Sequence, residues 1–265
     1  MTDLSIRPRR SNPFNSKLAP ANSSYAAYQD EELIHPLAPH LAPSSLTEQV
    51  HESFRQLVLD PKFSCVGAKS AIARGSYRLG QYGTLASVEA TAGLAYDLYE
   101  FVQDQAGFEG EFSTLFATFT DPVPGTEKEF ESLLWAQLQR LHELDRAHHR
   151  WDPAVSSDPD DPEFSFSFAE RGFFVVGLHP KSSRLTRRFA WPTLVFNLHE
   201  QFERLRESGH YKRMQSVIRE RELALQGSIN ANLSNFGEQS EARQYSGRRV
   251  EAGWRCPFSV GRKIS

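Results

Sequence analysis

The stretch FSFSFAERGFFVVGL, residues 164–178, decides the fold class. Two aromatic-rich apolar runs of strand length, FSFSF (164–168) and GFFVVGL (172–178), flank the short polar link AER and predict a β-hairpin. TLVFN (193–197), after the break at Pro192, adds a third strand. Two helical patterns follow, one over 199–208 carrying Phe202 and Leu205, the other over 211–226 carrying Met214, Val217, Ile218, Leu223 and Leu225. Upstream, EFSTLFATFT (111–120) mixes Phe and Thr as a strand does and is closed by Pro122. Strands that pair locally and helices that come in separate runs predict an α+β fold, with a small, mainly antiparallel sheet packed with several helices.

Three further helices are predicted. Ser45 with Glu48 caps one that carries Val50, Phe54, Leu57 and Val58 and stops before Pro61. A second runs from about Thr84 to Gln105, with Leu85, Val88, Ala95, Leu98 and Val102 at helical spacing. The third spans 127–147 behind a Thr126 cap, with Phe130, Leu134, Leu138 and Leu141 as its stripe. His142, His148 and His149 at its end, and the acidic loop SSDPDDPE (156–163), read as solvated groups rather than metal ligands; the loop lacks the spacing of a calcium-binding hand.

Composition bounds the function. The chain has 265 residues, 39% hydrophobic and 12% aromatic, enough for a sizeable core in one domain. A formal charge of −3 argues against nucleic acid as a partner. Two cysteines, Cys65 and Cys256, make neither a disulfide framework nor a zinc spacing. No apolar run reaches the roughly 20 residues of a membrane span, and the N-terminus is polar and Pro-rich, so a cytoplasmic location with no membrane partner is expected. Residues 1–45 read as an irregular arm, because Pro36, Pro39 and Pro43 preclude a continuous helix. Residues 46–265 read as a single α+β domain ending in a loop-rich C-terminal segment.

Common catalytic signatures are missing: no GxGxxG after a strand, no phosphate-binding P-loop, no HExxH and no GxSxG. What remains is a series of dense polar motifs: FSCVGAKSAIARG (63–75), GLHP (177–180), SSRxxRRF (182–189), LVFNLHEQFERLR (194–206), MQSVIRERELALQGSIN (214–230), SEARQYSGR (240–248) and WRCPF (254–258). In this order, over about residues 60–258, the chain resembles the YqcI/YcgG family, whose characterised members include haem-dependent N-hydroxylases of guanidino substrates. One departure is Asn230-Ala231, where the family pattern leads us to expect Asn-Pro.

The resemblance implies a b-type haem, O₂ as co-substrate, an electron-donating reductase, and a small amine or guanidine substrate such as arginine or a derivative, N-hydroxylated by the haem-binding catalytic domain. A homodimer is one expected assembly. An oxygen-activating haem needs one strong axial ligand. His179, ending an apolar strand before Pro180, and His199, opening a helix, are the first candidates; Cys256 and Cys65 come second. Lys181, Arg184, Arg187 and Arg188 could meet the haem propionates. For a guanidino amino acid, Glu238 and Glu241 could hold the cation and Arg243 and Arg248 the carboxylate. Gln244 and Tyr245 could donate hydrogen bonds to oxygen or substrate. Two other readings stay open: a haem-binding sensor or carrier without turnover, and a cofactor-free hydrolase using Cys65 or Cys256 with a His base.

Overall fold

A computed structural model describes residues 11–108, 110–228 and 238–261. The elements run α1 (Ala19–Asn22), β1 (Ala27–Gln29), β2 (Glu32–Ile34), α2 (Ser45–Leu59), α3 (Val66–Ala73), β3 (Tyr77–Thr84), α4 (Val88–Asp104), β4 (Thr114–Asp121) and α5 (Glu127–Asp145). They continue with β5 (Phe166–Phe168), β6 (Arg171–Leu178), β7 (Thr193–Leu198), α6 (His199–Glu207), α7 (His210–Gln226) and α8 (Ala242–Tyr245). The fold is α+β. The main sheet has the order β3-β4-β7-β6-β5, parallel between β3 and β4 and antiparallel at every other pairing.

The hairpin forms where the sequence places it. Phe168 pairs with Arg171, so the connection is the two residues Ala169 and Glu170, both at positive φ (52° and 60°), the left-handed turn that suits the strand twist. Helix boundaries shift by small, explicable amounts. Ser44, not Ser45, caps α2 by accepting from Thr47 N at 3.1 Å. Thr84 ends a strand, and α4 begins at Val88 behind a Ser87 cap. Thr126 caps α5 as expected.

Side chains on the strands alternate between two apolar layers. Leu115, Phe173, Val175, Leu194 and Phe196 join the layer built with α4 and α5. Phe116, Leu178 and Val195 join the layer built with α2, which holds Val50, Phe54 and Val58. His179 continues the alternation of Phe173, Val175 and Gly177, and its ring stacks on Phe130 of α5 with centroids 4.3 Å apart.

Residues 11–45 carry more structure than their proline content suggests, because buried groups tie them down. Tyr25 is buried and donates to Asp104 at 2.8 Å, and Ala26 bridges to Leu79 at the outer edge of β3. A Cβ on Gly93 of α4 would lie 2.1 Å from the Asn22 carbonyl oxygen, so only glycine lets α1 approach this closely. Asp97 of α4 accepts from Ser23 Oγ (2.5 Å), Ser24 N (2.8 Å) and Tyr82 OH (2.8 Å). Burial pushes its carboxyl up to about 7, against those hydrogen bonds. Between the ordinary 3.8 and about 7 the native state keeps a proton that the unfolded chain has released, so Asp97's contribution to stability falls as pH rises through that window. Asp97→Asn should cost about 1–3 kcal/mol, since it turns one acceptor into a donor facing donors. In urea unfolding, the gap between wild type and Asp97→Asn should be widest near the acid end of the window and narrow toward pH 8; a flat gap would contradict the assignment.

Candidate functional site

The α2 side of the sheet does not close over completely. Two cavities of about 200 Å³ each lie there and share walls that include Cys65, Ala68, Phe174, Val176, Asn197 and Gln244. The first is lined on its apolar side by Phe112, Phe174, Phe202, Met214 and Ile218, and on its polar side by His199, Gln201, Glu241 and Gln244. The second runs toward α2 and holds Arg184, Arg187 and Glu222 among Phe54, Phe63 and Val195. Apolar walls with a few convergent polar groups are the usual character of a small-molecule site.

His199 sits where β7 hands over to α6, so both a strand and a helix fix its backbone. Ser165 Oγ bridges Glu241 Oε1 and His199 Nδ1, 3.0 Å from the latter; with Ser165 donating to Glu241, Nδ1 carries the proton that Ser165 accepts. Burial pushes the His199 pKa down, with Glu203 opposing it, so the neutral imidazole is favoured. Its Nε2 lies 2.9 Å from Glu203 Oε1, one turn along α6, a contact that is favourable only when Nε2 carries a proton. Glu203 is 41% exposed and also pairs with Arg206.

Behind this pair, Glu241 is buried, and burial pushes its carboxyl up to about 8 despite hydrogen bonds from Ser165 and Tyr245. That favours the neutral acid at pH 7. Tyr245 is locked by Phe166 N (3.0 Å), Phe173 O (2.9 Å) and Glu241 Oε1 (2.9 Å), and burial raises its pKa well above the ordinary value. Its hydroxyl is thus spent on the β5–β6 hairpin rather than offered to a ligand.

The predicted residues separate into three groups. His199, Cys65, Glu241 and Gln244 converge on the first cavity. Arg184 lines the second, but its guanidinium is committed to Glu222 in a buried ion pair and to Ser228 O at 2.9 Å. His179, Arg188, Cys256, Glu238, Arg243 and Arg248 line neither cavity. His179 points to the α5 side of the sheet, and both its ring nitrogens are buried without a partner among the described residues. Arg188 donates to Ser182 O, and Arg243 stacks on Trp254 and donates to Glu251 O at 2.7 Å. Arg248 is buried against Glu131 of α5 at 2.8 Å and pins the tail to that helix. Arg188, Arg243 and Arg248 are thus engaged in ties within the protein. The Asn230-Ala231 departure lies outside the described residues.

Sequence reading missed Ser165, Glu203, Gln201 and Glu222. Glu203 was accessible, since it follows His199 by one helical turn. Ser165 was not, because nothing local marks which face of FSFSF it occupies.

The residues present suit a haem better than a bare ion. Among the described residues no group of three or more His, Cys, Asp and Glu side chains is placed to hold a metal alone. A haem would bring its own ring nitrogens and ask the protein for one donor and apolar walls, which His199 beside Phe112, Phe174 and Phe202 could supply. Cys65 is the weaker candidate: its thiol caps α3, accepting from Ala68 N, and burial pushes its pKa up, away from the thiolate that iron requires. Cys256 is pushed up to about 12 by burial.

A model of the YqcI/YcgG family matches residues 54–259 of the chain. No curated protein and no solved structure matches it.

Proposed function

The chain belongs to the YqcI/YcgG family, and we propose that it is a haem-dependent monooxygenase that N-hydroxylates a small guanidino or amino compound. The observation that carries this reading is His199 in the first cavity, with Nδ1 held by the buried Ser165–Glu241 pair and Nε2 facing the partly exposed Glu203 carboxylate. Bound haem would supply activation of O₂. The overall change converts a substrate N–H to N–OH and releases the second oxygen atom as water, consuming two electrons and two protons from an external reductase.

The protein's own part is positioning. Ser165 and Glu241 orient the imidazole and fix its tautomer, the kind of outer support that commonly matters 10–100-fold to a bound metal. Glu241, neutral, can serve that role without placing a buried charge beside the ring. Gln201 and Gln244 offer amides to a polar substrate, and the aromatic walls exclude water. A nucleophilic role for Cys65 is disfavoured by its raised pKa.

Loading the full chain with haem, supplying O₂ and a reductase system, and screening guanidino amino acids for a product heavier by one oxygen tests the reading. Coupled product formation is expected. A six-coordinate haem that gives no product with any of them would favour the sensor or carrier alternative.

A further inference from the structure

Arg187 is the side chain in the second cavity that the fold leaves chemically incomplete. Its Nη1 donates to Tyr245 O (3.0 Å) and Gly177 O (3.5 Å), and its remaining N–H groups have no acceptor among the described residues. No described carboxylate pairs with it. Glu222, the acid of this cavity, is bonded to Arg184, Ser64 and Thr186. Two guanidinium groups against one carboxylate leave the cavity one positive charge in excess. Burial pushes the Arg187 pKa down to about 10, as expected of a cation short of partners. The side chain is also held in place: a Cβ on Gly247, at φ +80°, would lie 2.6 Å from Arg187 Cδ, so bare glycine makes the channel it passes through.

We infer that the Arg187 cavity is a carboxylate-binding subsite, in which the Arg187 guanidinium takes one carboxylate of a ligand whose other end reaches the His199 cavity. A guanidinium short of acceptors in an apolar-walled cavity favours an anion there, and a carboxylate supplies both the charge and the planar acceptor geometry that a guanidinium fork prefers. The shared walls at Phe174, Val176, Asn197 and Gln244 let one molecule span both cavities. The subsite stands on Arg187 alone. It rests on the proposed function only for the source of the carboxylate, either a haem propionate or the α-carboxylate of an amino-acid substrate.

The test compares four probes on the full chain by calorimetry and absorption titration: L-arginine, its decarboxylated analogue agmatine, haemin, and haemin dimethyl ester. Arg187→Met is expected to weaken L-arginine about 10- to 100-fold while sparing agmatine, if the substrate supplies the carboxylate. It is expected to weaken haemin by a similar factor while sparing the diester, if the propionate does. Arg187→Lys should show the same selectivity, reduced in size, and decides the matter if the Met variant fails to fold. A folded variant that binds all four probes as wild type does would overturn the inference, as would a wild type that binds none of them. A wild type that ignores haem, yet prefers L-arginine to agmatine through Arg187, would sink the proposed function and leave this subsite standing.

Discussion

Replacing Glu222 with alanine is expected to lower stability by about 3–5 kcal/mol, a large share of the 5–15 kcal/mol typical of a folded domain. Glu222 of α7 accepts from Arg184, from Ser64 Oγ (2.9 Å) and from Thr186 Oγ1 (2.9 Å). Burial pushes its carboxyl up, but the hydrogen bonds from Arg184, Ser64 and Thr186 outweigh it and hold the pKa below the ordinary 4.5. The contribution is therefore complete above that value and is lost as pH falls through the depressed one. Alanine would strand Arg184 as a buried cation without its carboxylate. Replacing both members, as Arg184→Met with Glu222→Leu, should recover most of the loss, because the cost lies in the orphaned charge rather than in the missing attraction. Denaturant unfolding of the two single variants and the pair decides it. Equal losses in the pair and in Glu222→Ala would mean that α7 depends on this contact for something other than charge balance. A smaller tie, Gln226 to Leu185 N (2.8 Å) and Ser183 O (2.9 Å), fixes the same end of α7 and should keep the cavity wall in place.

His199→Ala is expected to weaken haem binding by more than the roughly 10–100-fold that an outer-shell partner is worth, and to abolish hydroxylation with it. Ser165→Ala should fall within that 10–100-fold range, since it removes the group that holds Nδ1 while leaving Nε2. Thermal unfolding should move much less than haem affinity in both variants, because His199 is bonded to polar neighbours at a cavity wall rather than packed into either apolar layer. Partial return of the haem spectrum of His199→Ala on adding free imidazole would identify the lost group as the axial donor. An unchanged spectrum in His199→Ala would mean that iron is held elsewhere.

Helix α5 was fully legible because a Thr cap, an acidic first turn and a single apolar stripe all agree. The β5–β6 hairpin was legible from its aromatic runs, though its non-glycine turn at Ala169 and Glu170 follows no local signal. Strand β3, YRLGQYGT, was not seen: two glycines, Arg78 and Gln81 blur its alternation, and its pairing with β4 is set across a distant crossover. Helix α3 was missed for a similar reason, since its cap is the thiol of Cys65 rather than a hydroxyl or carboxyl.

The misplacement of His179 has a precise physical origin. Strand β6 is covered on both faces, so GFFVVGL shows no in–out pattern, and sequence alone does not tell which side of the sheet residue 179 takes. The tail shows the converse. At the one-turn helix α8, Glu241 of the N-cap and Gln244 share the cavity side, while Arg243 between them is turned toward Trp254 and Glu251. Of the residues the sequence singled out in this segment, Glu241 and Gln244 line the cavity and Arg243 does not.

Titrating the full chain with haemin and recording the ferrous carbon monoxide spectrum tests the central claim most directly. Saturable binding of one equivalent is expected, with a Soret band of the histidine-ligated type that disappears in His199→Ala. Absence of saturable binding, or a band of the thiolate-ligated type, would contradict it.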